Sequence, residues 1–132
     1  MRLEVTRRAD LAVRALRALD GDVARLKAPA LAEALGTTPG FVAQVMNPLV
    51  RAGWVRSDPG PTGGYTLAVA LDAVSVLAVI EAVDGATDQG RCVVEAKQCN
   101  AARPCALHVA WSDARTRLMD SLASTPVMAV GR

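Results

Sequence analysis

Between Thr6 and Gly21 apolar residues recur every three to four positions. Leu11, Ala12, Ala15, Leu16 and Leu19 share one face of a helix, while Arg7, Arg8, Arg14 and Arg17 fall elsewhere on the cylinder. Asp20-Gly21 predicts its stop, with glycine as a left-handed cap. LKAPALAEALG predicts a short second helix, with Pro29 near its first turn and Gly36 at its end. After the tight turn Gly36-Thr37-Thr38, Thr38 is the expected N-cap and Pro39 the first helical residue. The third helix, PGFVAQVMNPLVRAG, turns Val42, Val45, Met46 and Leu49 to a core; Pro48 inside it removes a hydrogen bond and predicts a kink. Two helices joined by so short a turn make a helix-turn-helix, whose second helix can enter a DNA major groove.

WVRSDPGPTGGYTLAVAL then reads as two strand-like segments about a Gly/Pro turn, with Gly63-Gly64 expected to supply positive φ. A hairpin directly after a helix-turn-helix makes a winged helix. VSVLAVIEAVDG predicts a fourth helix, capped by Ser75 and ended at Asp84-Gly85. A loop without apolar periodicity spans Ala86 to Pro104, and CALHVAWSDARTRLMDSLAS follows as a helix of about five turns. Its stripe of Leu107, Trp111, Leu118 and Leu122 is broad for so small a domain and suggests packing against a second copy. The chain is expected to trail off after Thr125-Pro126. The fold class is therefore mainly α: a winged helix-turn-helix over residues 1–72, then a cysteine loop and long C-terminal dimerisation helix over residues 73–132.

Composition supports thin, closely packed helices over a β-sandwich, because only 3 % of the 132 residues are aromatic. The net charge of +2 is uneven: residues 1–58 hold nine Lys/Arg against six Asp/Glu, and residues 59–132 hold six against seven. A mildly basic first half permits phosphate binding without requiring it. MRLEVTRRAD has no apolar core of a signal peptide, and the longest uncharged apolar run, Tyr65–Leu71, is too short to span a bilayer. A cytoplasmic protein with no membrane partner is expected. There an odd number of cysteines points to a metal or redox site more than to a disulfide framework.

The three cysteines are Cys92, Cys99 and Cys105, all within RCVVEAKQCNAARPCALH. Thiolates are soft ligands suited to iron–sulfur clusters or zinc, and three is one short of a closed set. His108 and Asp10 are the candidates for the fourth ligand. Each also has a plainer role: Asp10 can pair with Arg14 one turn on, and His108 can hydrogen-bond nearby. No CxxC, GxSxG, HExxH or phosphate-loop glycine pattern marks an enzyme.

The opening MRLEVTRRADLAVRAL, the wing GPTGGYTLA, IEAVDG before the cysteines and the ending CALHVAW together resemble the IscR/NsrR-type iron–sulfur winged-helix transcription regulators (the Rrf-two superfamily) over about the whole chain. The resemblance implies a homodimer on a near-palindromic double-stranded operator, with an iron–sulfur cluster on Cys92, Cys99 and Cys105 setting DNA affinity. The first cysteine spacing here is one residue longer than the family's. In the IscR branch a histidine at the place of His108 completes a 2Fe–2S site. In the NsrR branch an aspartate at the place of Asp10 reaches a 4Fe–4S cluster from the other protomer. The frame Asp10, Arg14, Leu16 tips the expectation toward 4Fe–4S.

By position, Thr38, Gly40, Phe41, Ala43 and Gln44 form the exposed start of the recognition helix, with Gln44 suited to an adenine edge and Phe41 to a thymine methyl. Arg7, Arg8 and Arg51 suit phosphates, and Gly63, Gly64 and Tyr65 belong to the wing. Pro59 stands where the family's wing has an arginine, and Asp58 beside it is expected to repel phosphate, with Arg56 to compensate. The function expected is a transcription regulator sensing nitric oxide, redox state or iron–sulfur supply. The alternatives are a cluster-free zinc or thiol-switch regulator and an iron–sulfur carrier protein.

Overall fold

Apolar faces spaced for helices drive the first half of the chain into a three-helix core. The computed structural model describes residues 2–21, 25–95 and 97–131. Helix α1 spans Arg7–Leu19, α2 Ala28–Leu35 and α3 Pro39–Arg51. Thr6 caps α1, its hydroxyl accepting from the Ala9 N–H, and Thr38 caps α3 in the same way through Phe41 N–H. Gly36 ends α2 at φ 69°, in the left-handed region. At the end of α1 the expectation fails: Asp20, at φ −84°, is the cap and donates to the Arg17 carbonyl, and Gly21 is not left-handed.

Helix α3 runs on through Pro48 as one element, and the ring is buried. Pro48 has no N–H to give the Gln44 carbonyl, but that carbonyl sits one turn earlier, at a residue exposed to solvent.

Strands β1 (Val55–Asp58) and β2 (Gly64–Leu67) pair antiparallel, Val55 opposite Leu67 and Asp58 opposite Gly64. The two glycines of the wing serve different ends. Gly64 takes φ 137°, whereas Gly63 has no positive φ, and a Cβ there would lie 2.0 Å from the Asp58 carbonyl oxygen. Close approach, not left-handed backbone, selects glycine at 63.

Helix α4 (Val76–Asp84), capped by Ser75, packs on α1 and α3 and buries Val79 and Val83 in the same core as Leu11, Leu16, Val42 and Leu49. Helix α5 ends at Ser124 as expected but begins at His108, three residues after the start its sequence pattern suggests, because a turn closed by His108 N–H on the Cys105 carbonyl occupies the preceding residues. None of its residues is buried, and Leu107, Val109 and Leu118 are 44 %, 66 % and 51 % exposed.

The C-terminal segment does not trail off. Pro126 ends the helix and bridges back to Ser75; the Val76 N–H donates to Thr125 O, and Val127 N–H donates to Val74 O. Val127 is fully buried, and the Arg17 guanidinium holds the Val127 and Met128 carbonyls at 3.2 and 2.6 Å. The signal in sequence, VMAV, is too short to show a period. Among the described residues no helix is long and apolar enough to cross a membrane.

Candidate metal centre and nucleic-acid interface

The cysteine loop is ordered by its own backbone. Glu81 of α4 accepts the Thr87 N–H at 2.7 Å, and Asp88 accepts the Gly90 N–H at 2.9 Å, which fixes the exit from α4. Residues 90–92 then run antiparallel to 97–99: Cys92 N–H donates to Lys97 O and Cys99 N–H to Gly90 O, each at 2.7 Å, about an Arg91–Gln98 bridge. This miniature hairpin, invisible to periodicity, puts Cys92 and Cys99 on facing arms. Asn100 closes the next turn through Ala102 N–H and Arg103 N–H, returning the chain to Cys105 and the first turn of α5.

The result is two donor pairs around one cavity of about 140 Å³. Cys92 Sγ lies 3.7 Å from Cys105 Sγ, and Cys99 Sγ lies 3.0 Å from His108 Nδ1. The three cysteines are free thiols, each partly exposed. Backbone N–H groups of Val94 and Glu95 aimed at Cys92 hold its thiol below the ordinary range, and the neighbouring Cys105 thiol adds to this. Among the described residues no three His, Cys, Asp or Glu side chains close on a single ion. The donors stand as two pairs, not one tetrahedral cage.

The cavity wall includes two residues that the sequence did not single out as functional, Asp88 and Arg115, ion-paired at 3.6 Å across the mouth between loop and helix. Arg115 lies two helical turns beyond His108, a spacing that places both on one face of α5. Asp10 is elsewhere. It is exposed on α1, 3.7 Å from Arg14, beside a separate groove that includes Arg17 and the C-terminal Val130. Within one chain the structure brings His108 to the cysteines and leaves Asp10 apart.

The residues expected at DNA sort by exposure. Thr38, Gly40, Gln44, Arg51, Arg7, Arg8 and Arg56 are exposed; Ala43 and Tyr65 are half-buried. Phe41 is half-buried against the core, so its ring is largely committed to packing. The Thr38 hydroxyl is engaged as the cap of α3 at 3.2 Å. Gly63 is buried inside the wing.

A helix-turn-helix continued into a two-stranded wing, followed by a thiol-rich loop and an uncovered helix, defines a winged-helix regulator. The chain belongs to the Rrf2 family, described as iron-dependent transcriptional regulators, which matches residues 5–130. It is 38 % identical over 93 residues to the HTH-type transcriptional regulator IscR of Erwinia tasmaniensis, covering 70 % of this chain and 55 % of that one. A Neisseria meningitidis protein classed with HTH-type transcriptional regulators is 29 % identical over 98 % of this chain and 82 % of its own. The chain spans about half the length of the curated IscR relatives it matches, 55 % and 53 % for two of them.

Solved structures share the fold. CymR, the global cysteine regulator of B. subtilis, superposes with a TM-score of 0.77 at 19 % identity over 98 % of this chain and 96 % of that one. IscR of T. potens gives 0.68 at 21 % identity over 96 % and 85 %. These relatives are regulators, not enzymes.

Proposed function

We propose that this chain is a cytoplasmic, homodimeric DNA-binding regulator whose operator affinity is set by an iron–sulfur cluster held by Cys92, Cys99, Cys105 and His108. The observation that carries this is the pairing of the four donors around one cavity. Two thiolates on one tetrahedral ion, each about 2.3 Å from it, stand about 3.8 Å apart. The Cys92–Cys105 separation of 3.7 Å fits that edge, and Cys99 with His108 offers a second thiolate–imidazole pair. Three soft thiolates with one imidazole suit iron. Two pairs suit a two-iron cluster better than one zinc ion, which needs all four donors at a common point.

When bound, the cluster supplies a centre that can change redox state, take up nitric oxide or be lost. The chain's own residues carry that change. The loop joins the C-terminus of α4 to the N-terminus of α5, and α4 packs on both α1 and the recognition helix α3. Ordering of Cys99 against His108 fixes the first turn of α5. The exposed side chains Val109 and Leu118 of that helix, with Leu107 at its cap, fit a second copy of the chain. The spacing of two recognition helices on a near-palindromic site then follows the seating of α5. The exposed Gln44 reads a base edge, and Arg7, Arg8 and Arg51 contact phosphates.

The test is the visible spectrum with iron and sulfide content of anaerobically purified protein, beside His108→Ala and Asp10→Ala. Two irons per chain are expected, with bands lost in His108→Ala and kept in Asp10→Ala. Four irons and loss in Asp10→Ala would instead assign the fourth ligand to Asp10 of the partner subunit and a 4Fe–4S cluster.

One observation favours a second reading. Cys92 and Cys105 are close enough that a modest contraction, to about 2.05 Å, makes a disulfide. Two thiols would give two electrons and two protons to a peroxide, which is reduced to water or an alcohol and water. A colourless protein after anaerobic reconstitution, with DNA binding reversed by dithiothreitol, would support this thiol switch.

A further inference from the structure

From its own strands the wing is poorly charged for DNA, since Pro59 takes the expected arginine's place and Asp58 sits beside it. The structure changes that account. Asp58 Oδ2 is 3.2 Å from Arg56 Nε and 3.6 Å from Arg25 Nη2, so its charge is offset twice. Arg25 Nη1 also donates to the Thr62 carbonyl, and Lys27 Nζ donates to the Pro61 carbonyl, both at the wing tip. These two cations come from the connection between α1 and α2.

Leu26, between them, joins the sheet as a third, single-residue strand through two backbone bonds with Tyr65, at 3.1 and 2.7 Å. Gly64 makes the approach possible: a Cβ there would lie 2.8 Å from the Leu26 carbonyl oxygen and 2.9 Å from Arg25 Cγ. The backbone pairing thus delivers Arg25 and Lys27 to the tip whatever their side chains do. Two cations, Arg25 and Arg56, thus pair with one carboxylate, and Lys27 lies against the same turn. The side chains of Arg25 and Arg56 are 39 % and 64 % exposed, and Lys27 is exposed as well.

We propose that Arg25 and Lys27 are the wing's contacts to the DNA backbone, supplying from the α1–α2 connection the positive charge that the wing's own strand lacks. Each head group now donates to a neutral backbone carbonyl, and Arg25 also pairs with Asp58 across 3.6 Å. A phosphate is a charged and stronger acceptor, reached by side-chain rotation with the wing backbone in place. The inference rests on the DNA-binding reading above.

Its test is a salt titration of binding to a random-sequence duplex about three helical turns long. Wild type, Arg25→Gln/Lys27→Gln and the charge-preserving Arg25→Lys/Lys27→Arg are compared. Each lost phosphate contact lowers the slope of log affinity against log salt by about 0.9. The double glutamine variant is therefore expected to lose about 1.8 from the slope, so that its affinity drop between 50 and 200 mM salt is about tenfold smaller than wild type's. The charge-preserving variant should keep the wild-type slope. A wild-type slope in the glutamine variant, or an equal loss in the charge-preserving one, overturns the proposal while leaving DNA binding intact. No duplex binding by wild type at low salt overturns both. Should the double glutamine variant fail to fold, the single variants Arg25→Gln and Lys27→Gln decide in its place: each should lose about 0.9 from the slope, and a wild-type slope in both overturns the proposal.

Discussion

At the scale of single residues, close approach governs the wing. Gly63 looks in sequence like a positive-φ glycine beside Gly64, and local pattern cannot separate the two roles. In the structure it is buried, with the Asp58 and Pro59 carbonyl oxygens 2.0 and 2.6 Å from where a Cβ would stand. Backbone atoms cannot rotate away as a side chain can, so the hairpin itself must shift. Gly63→Ala is expected to lower stability by about 1–3 kcal/mol, measured by urea unfolding. It should also weaken duplex binding, because the carbonyls that hold Arg25 and Lys27 belong to the same turn. The donor residues of the candidate centre were legible: Cys92, Cys99, Cys105 and His108 stand out by type and spacing. Asp88 and Arg115 were not, since an acid and a base separated by 27 positions signal nothing until the loop and α5 meet.

At the scale of elements, α5 departs most from its neighbours. Helices α1 to α4 each bury an apolar face, whereas α5 buries none and exposes Val109 and Leu118, with Leu107 exposed at its cap. Its sequence stripe divides in the fold: Trp111 and Leu122 are half-buried on their own chain, while Leu107 and Leu118 face outward. An uncovered apolar helix face of this kind is stabilised by association. Leu118→Glu places a charge where the proposed second copy would seat. It is expected to convert dimer to monomer in analytical ultracentrifugation, with less than about 0.5 kcal/mol change in the unfolding of the isolated chain, because the site is exposed within that chain. Element order and caps were largely readable here: Thr38, Ser75 and Gly36 act as their chemistry suggests. The start of α5 was not, because Cys105, Ala106 and Leu107 continue the apolar pattern but are taken up by the turn that presents Cys105.

At the scale of the whole molecule, the C-terminal segment ties the two halves together. Val127 reaches a core built mainly by α1, α2, α3 and α4, and Arg17 of α1 grips the carbonyls beside it. The end of α5 is thereby fastened to the start of α4 through Val76 and Thr125, while the start of α5 faces the cysteine loop. Movement of α5 must accordingly be felt by the core that positions α3. Val127→Ala removes two buried methyl groups at a fully enclosed site. It is expected to cost about 1.5–3 kcal/mol by thermal or denaturant unfolding, from lost burial and the cavity left behind. Arg17→Ala, whose bonds are partly exposed, should cost less, about 1 kcal/mol.

The sequence by itself determined the local elements of this protein, their order and the chemistry on offer. Helical periods, caps and turn glycines act between residues a few positions apart, where chain geometry fixes which groups meet. It also determined the family, whose motifs run along nearly the whole chain. Only the tertiary structure decided which distant groups meet: His108 with Cys99 while Asp10 stays on α1, Val127 returning to the core, and Arg25 at the wing tip 37 residues from Thr62. Those pairings depend on how helices pack and on where a backbone can approach another. A one-dimensional pattern carries no period for either.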